Sequence, residues 1–469
     1  MKIFGRYIAL PFVLLAALDA SLFFSVLYAL SLTTHCKACY VGAVAGLDPA
    51  RALLLTSAFL LVTASSGLYT AEALRSFTLF LKRFLLAWQL LLIPTVAVFA
   101  LTKFLAGLPF GWYVGVITLA VTIFMLLLFT VRAAMIWLLR KPFVRRRILV
   151  LGSGEIADRL TEFLQGPDQA HLRHVRTVAP PPMLAPIGTS GNLALHVESQ
   201  TPLLAIARSL RVDEIVVATR DMRSLPMYEL LECKLHGIAV ASYMAFWERE
   251  SGQVDFLQAG PEWFAFSDGF LLNQPQRALK RAADFAVSLA FLILFLPFIL
   301  GTILAIRLES RGPIFYRQER VGLNGRIFRV WKFRSMRTDA ESDGVPKWAG
   351  SGDSRVTRVG RFIRKVRIDE IPQIINVLAG DMSFIGPRPE RPFFVEQLRE
   401  KIPYYELRHR VKPGITGWAQ VNYPYGASVE DARRKLAYDL YYVKSNDMFL
   451  DLAILVRTVR VILFAEGAR

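Results

Sequence analysis

Cysteine and histidine are scarce in this chain, which has 3 and 6 of them among its 469 residues. An odd number of cysteines does not indicate a disulfide framework. Cys36 and Cys39 form one C-x-x-C pair beside His35, and the sequence has no second pair to accompany it. This single pair is therefore weak support for a metal or redox site. A local disulfide between Cys36 and Cys39 stays open.

Acidic residues are outnumbered, because 38 Asp and Glu stand against 56 Lys and Arg and leave a net charge of +18. The chain is nevertheless 54% hydrophobic and 12% aromatic. A nucleic-acid binder of this charge would be less apolar, and the basic and aromatic segments carry no RNP-like or other nucleic-acid motif. The composition favours a membrane protein with basic cytoplasmic faces and no nucleic-acid partner.

Charged residues are rare in four long apolar runs of the first 140 residues, roughly 8–32, 52–71, 84–106 and 111–139. Each run is long enough to cross ~30 Å of hydrocarbon as a helix. Basic residues cluster at alternate ends of the runs, so the positive-inside rule puts both ends of the block in the cytoplasm. Residues 1–140 are predicted to form four transmembrane helices, with Arg132 either snorkelling or facing the bundle.

Residues 141–276 are predicted to form a Rossmann-like α/β cytoplasmic domain. An apolar strand at 148–151 leads into the turn Gly152-Ser-Gly154-Glu-Ile-Ala157, which opens a helix and can place a phosphate at its N-terminus. A dinucleotide site also needs an acidic residue about 20 positions on, at the end of the second strand. That strand, 174–178, runs into Ala-Pro-Pro-Pro with no acid. A folded module without a dinucleotide site is the stronger interpretation, and nucleotide binding at this turn stays open. Further elements of the domain are predicted as strands at 214–219 and 238–242 and a helix at 225–236.

A fifth apolar run, Phe285 to Ile306, has 22 residues without a charge and is long enough to span a membrane. Pro297 lies inside it and removes a backbone hydrogen bond, which favours a bend. A full crossing would put most basic residues of the last domain outside the cytoplasm, against the positive-inside tendency. We therefore predict a re-entrant membrane helix hairpin at 285–306. A fifth span, straight or kinked, is the alternative.

The stretch from Arg361 to Glu390 contains a dense group of charged residues that could take part in catalysis. Four cations precede the adjacent carboxylates Asp369 and Glu370, and the stretch ends in Pro387-Arg388-Pro389. Carboxylates beside guanidinium groups suit chemistry on phosphates, because the cations hold the anion while a carboxylate binds Mg²⁺ or attacks. The spacing alone equally allows a helix-capping Asp followed by Pro in the first turn, with the cations on a solvated face.

Several motifs follow one another along residues 277–469, together with the Pro-broken apolar run. They are Lys280-Arg281-x-x-Asp284, Gly312-Pro-Ile-Phe, Gln318-Glu-Arg-Val-Gly, Lys332-Phe-Arg-Ser-Met-Arg, Arg364-x-x-x-x-Asp369-Glu-Ile-Pro-Gln373, Gly386-Pro-Arg-Pro389 and Lys412-Pro-Gly-Ile-Thr-Gly-Trp418. Through these motifs in this order, residues 277–469 resemble the bacterial sugar transferases, the monotopic polyprenyl-phosphate glycosyl-1-phosphate transferases. The preceding spans and α/β domain resemble the additions of the large subclass of this family. One departure is that Leu296 precedes Pro297, where the family often has Ser.

The resemblance implies a reaction in which a UDP-sugar gives its sugar-1-phosphate to undecaprenyl phosphate and releases UMP. By this resemblance, Asp369 is the nucleophile that forms a phosphosugar–enzyme intermediate, and Asp369 and Glu370 bind a Mg²⁺ ion. It assigns Arg364 to the lipid phosphate and Pro387-Arg388-Pro389 to the nucleotide. Lys332 and Arg334, in the basic and aromatic block, are expected to bind substrate.

The resemblance also implies a multi-pass protein of the bacterial inner membrane, with its mainly α catalytic domain (277–469) on the cytoplasmic face. Its product would start the synthesis of an exopolysaccharide, capsule or O-antigen. At the level of the family the sugar is glucose or galactose. A homodimer is possible under this resemblance. A non-catalytic scaffold or nucleotide-sensing regulator is the main rival. An oxidoreductase or nucleotide-sugar-modifying enzyme built on the middle domain would need a ribose clamp and a Tyr-x-x-x-Lys or similar acid/base pair, and the sequence has neither there. Lipid flipping by the four-helix block would need several intramembrane polar residues, and only Arg132 stands out.

Overall fold

The computed structural model divides the chain into two compact units, Met1–Glu250 and Ser251–Arg469. The second unit thus begins earlier than the boundary after residue 276 that the sequence suggested, and residues 251–276 belong to it. The residues that the structure describes are 2–3, 6–7, 17–25, 49–68, 78, 80–92, 122–134, 145–166, 169, 172–179, 202–220, 225–270, 274–337, 355–424, 426 and 428–464.

The first unit opens with short helices that each overlap one predicted apolar run. They are α1 (17–25), α2 (Pro49–Ser65), α3 (80–92) and α4 (Thr122–Ala134), preceded by the antiparallel pair β1 (Lys2–Ile3) and β2 (Arg6–Tyr7). A membrane span needs about 20 apolar residues. Each described segment is shorter than that, so the four-span block stays a prediction. Cys36 and Cys39 lie outside the described residues.

An ion pair is buried among these helices. Phe59, Phe80 and Phe124 are buried in one apolar cluster. Arg132 forms an ion pair with Asp19, and both side chains are fully buried. The Nη1 atom of Arg132 also donates to the carbonyl oxygen of Leu68 at 2.8 Å. Arg132 therefore faces the bundle, which was one of the two predicted positions, and does not snorkel.

The α/β module of the first unit contains the predicted strands and helix. Its strands pair in parallel in the order β4, β3, β5, β6. The two central strands are apolar on both faces because helices cover the sheet on each side, which explains their continuous apolar runs. The elements are β3 (Arg146–Gly152), α5 (Glu155–Gln165), β4 (Leu172–Val178), α6 (Leu203–Ser209), β5 (Glu214–Ala218), α7 (Met227–Leu235), β6 (Ala239–Ser242) and α8 (Tyr243–Ser251).

Backbone packing accounts for the glycines of the turn between β3 and α5. A Cβ at Gly152 would overlap the carbonyl of Ala218 on the neighbouring strand. Gly154 has φ 78°, the left-handed region that favours glycine. Glu155 and Asp158 stand in the first turn of α5 and put negative charge where a bound phosphate would lie.

The second unit contains the carboxylate pair and is built around one long helix. In chain order its elements are α9 (Pro261–Phe266), α10 (Gln274–Glu309), β7 (Phe315–Val321), β8 (Ile327–Phe333), α11 (Arg358–Lys365), α12 (Gln373–Ala379), β9 (Ser383–Ile385), α13 (Pro392–Lys401), β10 (Gly414–Thr416), α14 (Trp418–Asn422), α15 (Val429–Lys444) and α16 (Met448–Phe464). Strands β7 and β8 form an antiparallel hairpin, and β9 pairs in parallel with β10.

Helix α10 has 36 residues and is the one helix in the described part of the chain that is long and apolar enough to cross a membrane. It continues through Pro297. Its first half packs on the cluster around Phe384, whereas Ile306 in its second half packs with Phe333 and Ile363. The apolar side chains between these flanks are largely exposed. Both flanks of α10 are thus held by the same unit while its middle is not.

Three polar side chains fasten the start of α10 to the unit. Lys280 Nζ lies 2.6 Å from Oδ2 of Asp451 on α16. Arg281 donates to the carbonyls of Val377 and Leu378 at 2.5 and 2.8 Å, where a cation also complements the C-terminal end of α12. The buried carboxylate of Asp284 accepts from the amide of Phe384 at 3.0 Å. The Lys-Arg-x-x-Asp block therefore positions the start of α10.

Candidate active site

The two adjacent carboxylates lie in a short 3₁₀ turn, Ile368–Glu370, between α11 and α12. Arg367, just before it, has φ 60°, a left-handed conformation that turns the chain sharply. The N-cap of α12 is Pro372, and no side chain caps that helix. The interpretation of Asp369 as a helix cap is therefore wrong, since neither carboxylate serves α12 in that way.

Glu370 is buried and bound by two cations. Its Oε1 accepts from Lys332 Nζ at 2.9 Å and from Arg388 Nη2 at 2.7 Å. Its Oε2 has a longer contact of 3.4 Å with Arg388 Nη1. Burial by itself would raise the pKa of Glu370, but the neighbouring charges of Arg388 and Lys332 outweigh it and hold the pKa well below its usual range. Glu370 is thus a carboxylate kept ionised inside the protein.

Asp369 is half-buried and has the opposite shift. Burial, and next the charge of Glu370, raise the pKa of Asp369 to about 6, although Lys332, Arg364 and Arg367 act in the other direction. The environments of two adjacent carboxyl groups thus move their pKa values apart, which is a common feature of sites that divide chemical roles between two acids. Arg364 lies close enough for its charge to act on Asp369.

Asn376 on α12 places Lys332 beside the carboxylates. Its Oδ1 accepts from the amide of Trp331 at 3.0 Å, and its Nδ2 donates to the carbonyl of Arg329 at 2.8 Å. The side chain thereby completes the hydrogen bonding of β8 next to Lys332. Asn376 was not predicted from the sequence, where its only signal is a polar residue within an apolar helical run.

The loop Gly386-Pro387-Arg388-Pro389 brings Arg388 to Glu370. It follows β9 directly, and the carbonyl of Pro387 accepts from the amide of Gly414 at 2.9 Å. A Cβ at Gly386 would overlap the carbonyl of Lys412, so only glycine allows this close approach of β9 and β10. The backbones of Pro387 and Pro389 are part of the buried framework, and the side chain of Arg388 is the part that reaches the site.

Two predicted residues lie away from this cluster. The buried guanidinium of Arg334 donates to the carbonyls of Ser310 and Arg311 at 2.9 and 3.1 Å, just beyond the end of α10. It ties the outgoing chain to the β-hairpin and is not directed at Glu370. Pro297 lies in the exposed apolar stretch of α10. The structure therefore brings together Lys332, Arg364, Asp369, Glu370 and Arg388 of the predicted set.

Two buried arginines behind the loop were missed. Arg320 Nη1 donates to the carbonyl of Pro389 at 2.9 Å, and Arg408 Nη2 donates to that of Arg388 at 3.0 Å. Arg408 is also paired with Asp439 at 2.8 Å. The available signal was Asp439 itself, an acid inside the apolar and aromatic helical run Tyr438-Asp-Leu-Tyr-Tyr. Neither arginine stands out locally, because both lie in stretches rich in charge.

Asp369 and Glu370 are the carboxylates that this site offers to a Mg²⁺ ion. Within the residues that the structure describes, no group of three or more His, Cys, Asp or Glu could hold a metal. Mg²⁺ is usually bound through only one or two carboxylates, and substrate phosphates and waters complete its octahedron. Asp369 and Glu370 supply oxygen donors of that kind and fit this mode. They do not form a cage that would hold the ion without substrate.

The arrangement as a whole suits phosphoryl chemistry. A half-buried carboxylate with a raised pKa stands beside an ionised one, and Lys332, Arg364 and Arg388 surround them with positive charge. Such cations offset the repulsion between an attacking carboxylate and an anionic phosphate. The site is thus of a class that handles phosphorylated substrates next to an apolar helix.

Comparisons with known proteins agree with this class. The family model described as "Bacterial sugar transferase" matches residues 275–465. The chain is 31% identical over 392 residues to the undecaprenyl-phosphate glucose phosphotransferase of Komagataeibacter xylinus, which covers 80% of this chain and 72% of that protein. The chain belongs to the bacterial sugar transferase family.

Two further relatives are more similar over shorter stretches. The UDP-N-acetylgalactosamine-undecaprenyl-phosphate N-acetylgalactosaminephosphotransferase of Aeromonas hydrophila is 43% identical over 264 residues, 56% of this chain and 61% of that protein. The UDP-glucose:undecaprenyl-phosphate glucose-1-phosphate transferase of Escherichia coli (strain K12) is 44% identical over 190 residues, 40% of this chain and 41% of that protein. The match covers less than two thirds of each of these two relatives.

Proposed function

We propose that this protein transfers a sugar-1-phosphate from a UDP-sugar to undecaprenyl phosphate and releases UMP. The observation that carries the proposal is the cluster of Asp369, Glu370, Lys332 and Arg388, which lies inside the region matched by the family model. The names of the relatives support the donor and acceptor, since they describe sugar phosphotransferases that use undecaprenyl phosphate.

The proposed reaction has two displacements at the phosphorus that carries the sugar. In the first, an oxygen of Asp369 bonds to that phosphorus, and the bond to the bridging oxygen breaks so that UMP leaves. In the second, a phosphate oxygen of undecaprenyl phosphate attacks the same phosphorus and releases the Asp369 carboxylate. Arg388 and its loop bind the nucleotide part, Arg364 binds the lipid phosphate, and Lys332 offsets the negative charge of the pyrophosphate.

Magnesium fits this scheme as a proposed cofactor. Asp369 and the Oε2 side of Glu370 would hold the ion, because Oε1 of Glu370 already accepts from Lys332 and Arg388. A bound Mg²⁺ would neutralise charge on the pyrophosphate oxygens. Glu370 is kept ionised by its cations and is therefore available as a ligand at neutral pH.

We propose that α10 enters the bacterial inner membrane from the cytoplasmic face and returns to that face. A straight helix from Arg281 to Ile306 would extend about 37 Å, more than the ~30 Å thickness of the hydrocarbon core. Arg281 nevertheless contacts α12, Ile306 packs with Phe333 of β8, and Asn376 joins α12 to β8. Both ends of the apolar stretch of α10 are thus anchored to elements that adjoin each other. This anchoring supports a re-entrant helix, with the site at the membrane surface. Four further spans before the α/β module complete the proposed topology.

The sugar is proposed to be a hexose or an N-acetylhexosamine. The family resemblance implied glucose or galactose, and the relatives are named for glucose and for N-acetylgalactosamine, so the proposal includes the N-acetyl sugars. The lipid-linked product would start the synthesis of an exopolysaccharide, capsule or O-antigen.

The test is UMP release by detergent-solubilised protein from a panel of UDP-sugars, with undecaprenyl phosphate and Mg²⁺. Wild type is compared with Asp369→Asn, which keeps the shape but removes the nucleophile, and with Asp381→Asn, an exposed acid of the same unit. We expect release by wild type and Asp381→Asn for one sugar and none by Asp369→Asn. Equal release by all three proteins would contradict the role of Asp369, and no release by any of them would favour the scaffold or regulator.

A further inference from the structure

The loop that carries Arg388 is held through its own backbone and by two buried guanidinium groups. The carbonyls of Arg388 and Pro389, which belong to no strand, accept from the side chains of Arg408 and Arg320 at 3.0 and 2.9 Å. The remaining anchors are backbone hydrogen bonds from Gly386 N to Thr416 O, from Gly414 N to Pro387 O and from Val321 N to Glu390 O. The backbone of Arg388 is therefore fixed before any ligand binds.

Arg408 is the more deeply buried of these two anchors. It is 6% exposed, and its partner Asp439 on α15 is 2% exposed. The Nη2 of Arg408 lies 2.8 Å from Oδ2 of Asp439, and its Nη1 donates to the hydroxyl of Tyr405 at 2.6 Å. A guanidinium is suited to this task, because its planar set of donors can bind three acceptors in fixed directions.

Stability is a poor explanation of this buried pair. Removing two charges from water costs several kcal/mol per ion, and apolar replacements of such pairs are often neutral or stabilising. Arg408 is too buried to contact a substrate directly. What it does contact is the carbonyl of Arg388, the residue whose guanidinium reaches Glu370 at 2.7 Å.

We infer that Arg408, oriented by Asp439, is a positioning residue that fixes the backbone of Arg388 so that its side chain meets the nucleotide and Glu370. This inference rests on the proposed function. A chain of contacts runs from Asp439 through Arg408 and Arg388 to Glu370. Loss of the Arg408 contact lets the carbonyl of Arg388 turn and moves its guanidinium away from the nucleotide, and displacements of about 1 Å at a reacting site cost up to ~100-fold in kcat/KM.

The test is a double-mutant cycle between the buried pair and Arg388. Arg408→Met combined with Asp439→Leu removes the pair without leaving an unpaired buried charge. This variant, Arg388→Ala and their combination are compared for kcat, for KM of each substrate and for UMP binding by calorimetry. We expect the paired replacement to weaken UMP binding and raise KM for the UDP-sugar about tenfold, with KM for undecaprenyl phosphate unchanged. In the Arg388→Ala background it should have no further effect.

A purely structural role of the pair would lower the active fraction of the protein whether or not Arg388 is present. The inference is therefore overturned if the paired replacement causes the same loss in wild type and in Arg388→Ala. It is also overturned if the paired replacement lowers kcat and leaves both KM values unchanged. A wild type that neither releases nor binds UMP would instead overturn the proposed function, and the inference with it. Arg399→Gln, from an exposed pair with Glu406, is the matched control and should behave as wild type. If the paired replacement does not fold, Arg408→Lys retains the charge beside Asp439 and should raise KM in the same direction, because an ammonium cannot reproduce the planar fork.

Discussion

The Nζ of Lys332 lies 2.9 Å from Oε1 of Glu370, the residue that directly follows Asp369 in the chain. This contact joins the end of a β-hairpin to a 3₁₀ turn that is distant in sequence. Lys332 keeps Glu370 ionised and also lowers the pKa of Asp369 against the stronger effect of burial. One ammonium group therefore influences both carboxylates.

We expect the rate of UMP release to depend on pH through Asp369. Its pKa is raised to about 6, first by burial and then by Glu370. Only the carboxylate can attack phosphorus, so kcat/KM should fall as the pH drops through about 6 and stay level above it, as far as this group is concerned. A profile of kcat/KM from pH 5 to 8 at a fixed, subsaturating Mg²⁺ concentration checks this, because a bound Mg²⁺ would itself lower the pKa of Asp369. A rate that stays constant down to pH 5 would contradict it.

Lys332→Met should move that acid limb to higher pH and reduce kcat/KM at pH 7. The variant removes a cation that lowers the pKa of Asp369, and it leaves Glu370 with Arg388 alone. Loss of one charged group that binds phosphate is expected to cost ~100-fold. Lys332→Arg, which keeps the charge, should leave the acid limb near its wild-type position. An unchanged acid limb in Lys332→Met would show that Lys332 acts on the substrate alone.

Local patterns predicted the α/β module well. Its central strands are continuous apolar runs that end in turn residues, a pattern typical of parallel strands covered by helices on both faces. The adjacent carboxylates and Arg388 were identified through resemblance to a family, and the spacing alone also allowed a helix cap. The structure excludes that alternative, because the N-cap residue of α12 is Pro372.

Contacts between distant positions could not be predicted from the sequence. Arg408 lies in a stretch rich in charge, and nothing local indicates that the fold buries it against Asp439. Asp19 and Arg132 are a second such pair. Arg334 was predicted to bind substrate together with Lys332 because both lie in the basic and aromatic block. Strand β8 ends at Phe333, and the side chain of Arg334 just beyond it turns to Ser310.

Lys280→Met should destabilise the second unit. The ammonium pairs with Asp451 at 2.6 Å, and both side chains are mostly buried, at 15% and 13% exposed. Removing one partner leaves a buried carboxylate with only the Tyr442 hydroxyl, which costs about 3 kcal/mol. The thermal unfolding midpoint in detergent should fall by roughly 6–12 °C, at 2–4 °C per kcal/mol. Lys280→Met with Asp451→Leu should recover much of this loss, and a single variant as stable as wild type would contradict the prediction.

Gly386→Ala should abolish UMP release and lower the unfolding midpoint, whereas Gly301→Ala should do neither. A Cβ at Gly386 would overlap the carbonyl of Lys412 and stand 2.9 Å from the amide nitrogen of Gly414, both backbone atoms that cannot yield without separating β9 from β10. Such overpacking costs about 1–3 kcal/mol, and it displaces the loop that carries Arg388. Gly301 lies inside α10 with nothing within 4 Å of a Cβ, so alanine there is tolerated. Equal activity of the two variants would mean that the close approach of β9 and β10 does not position Arg388.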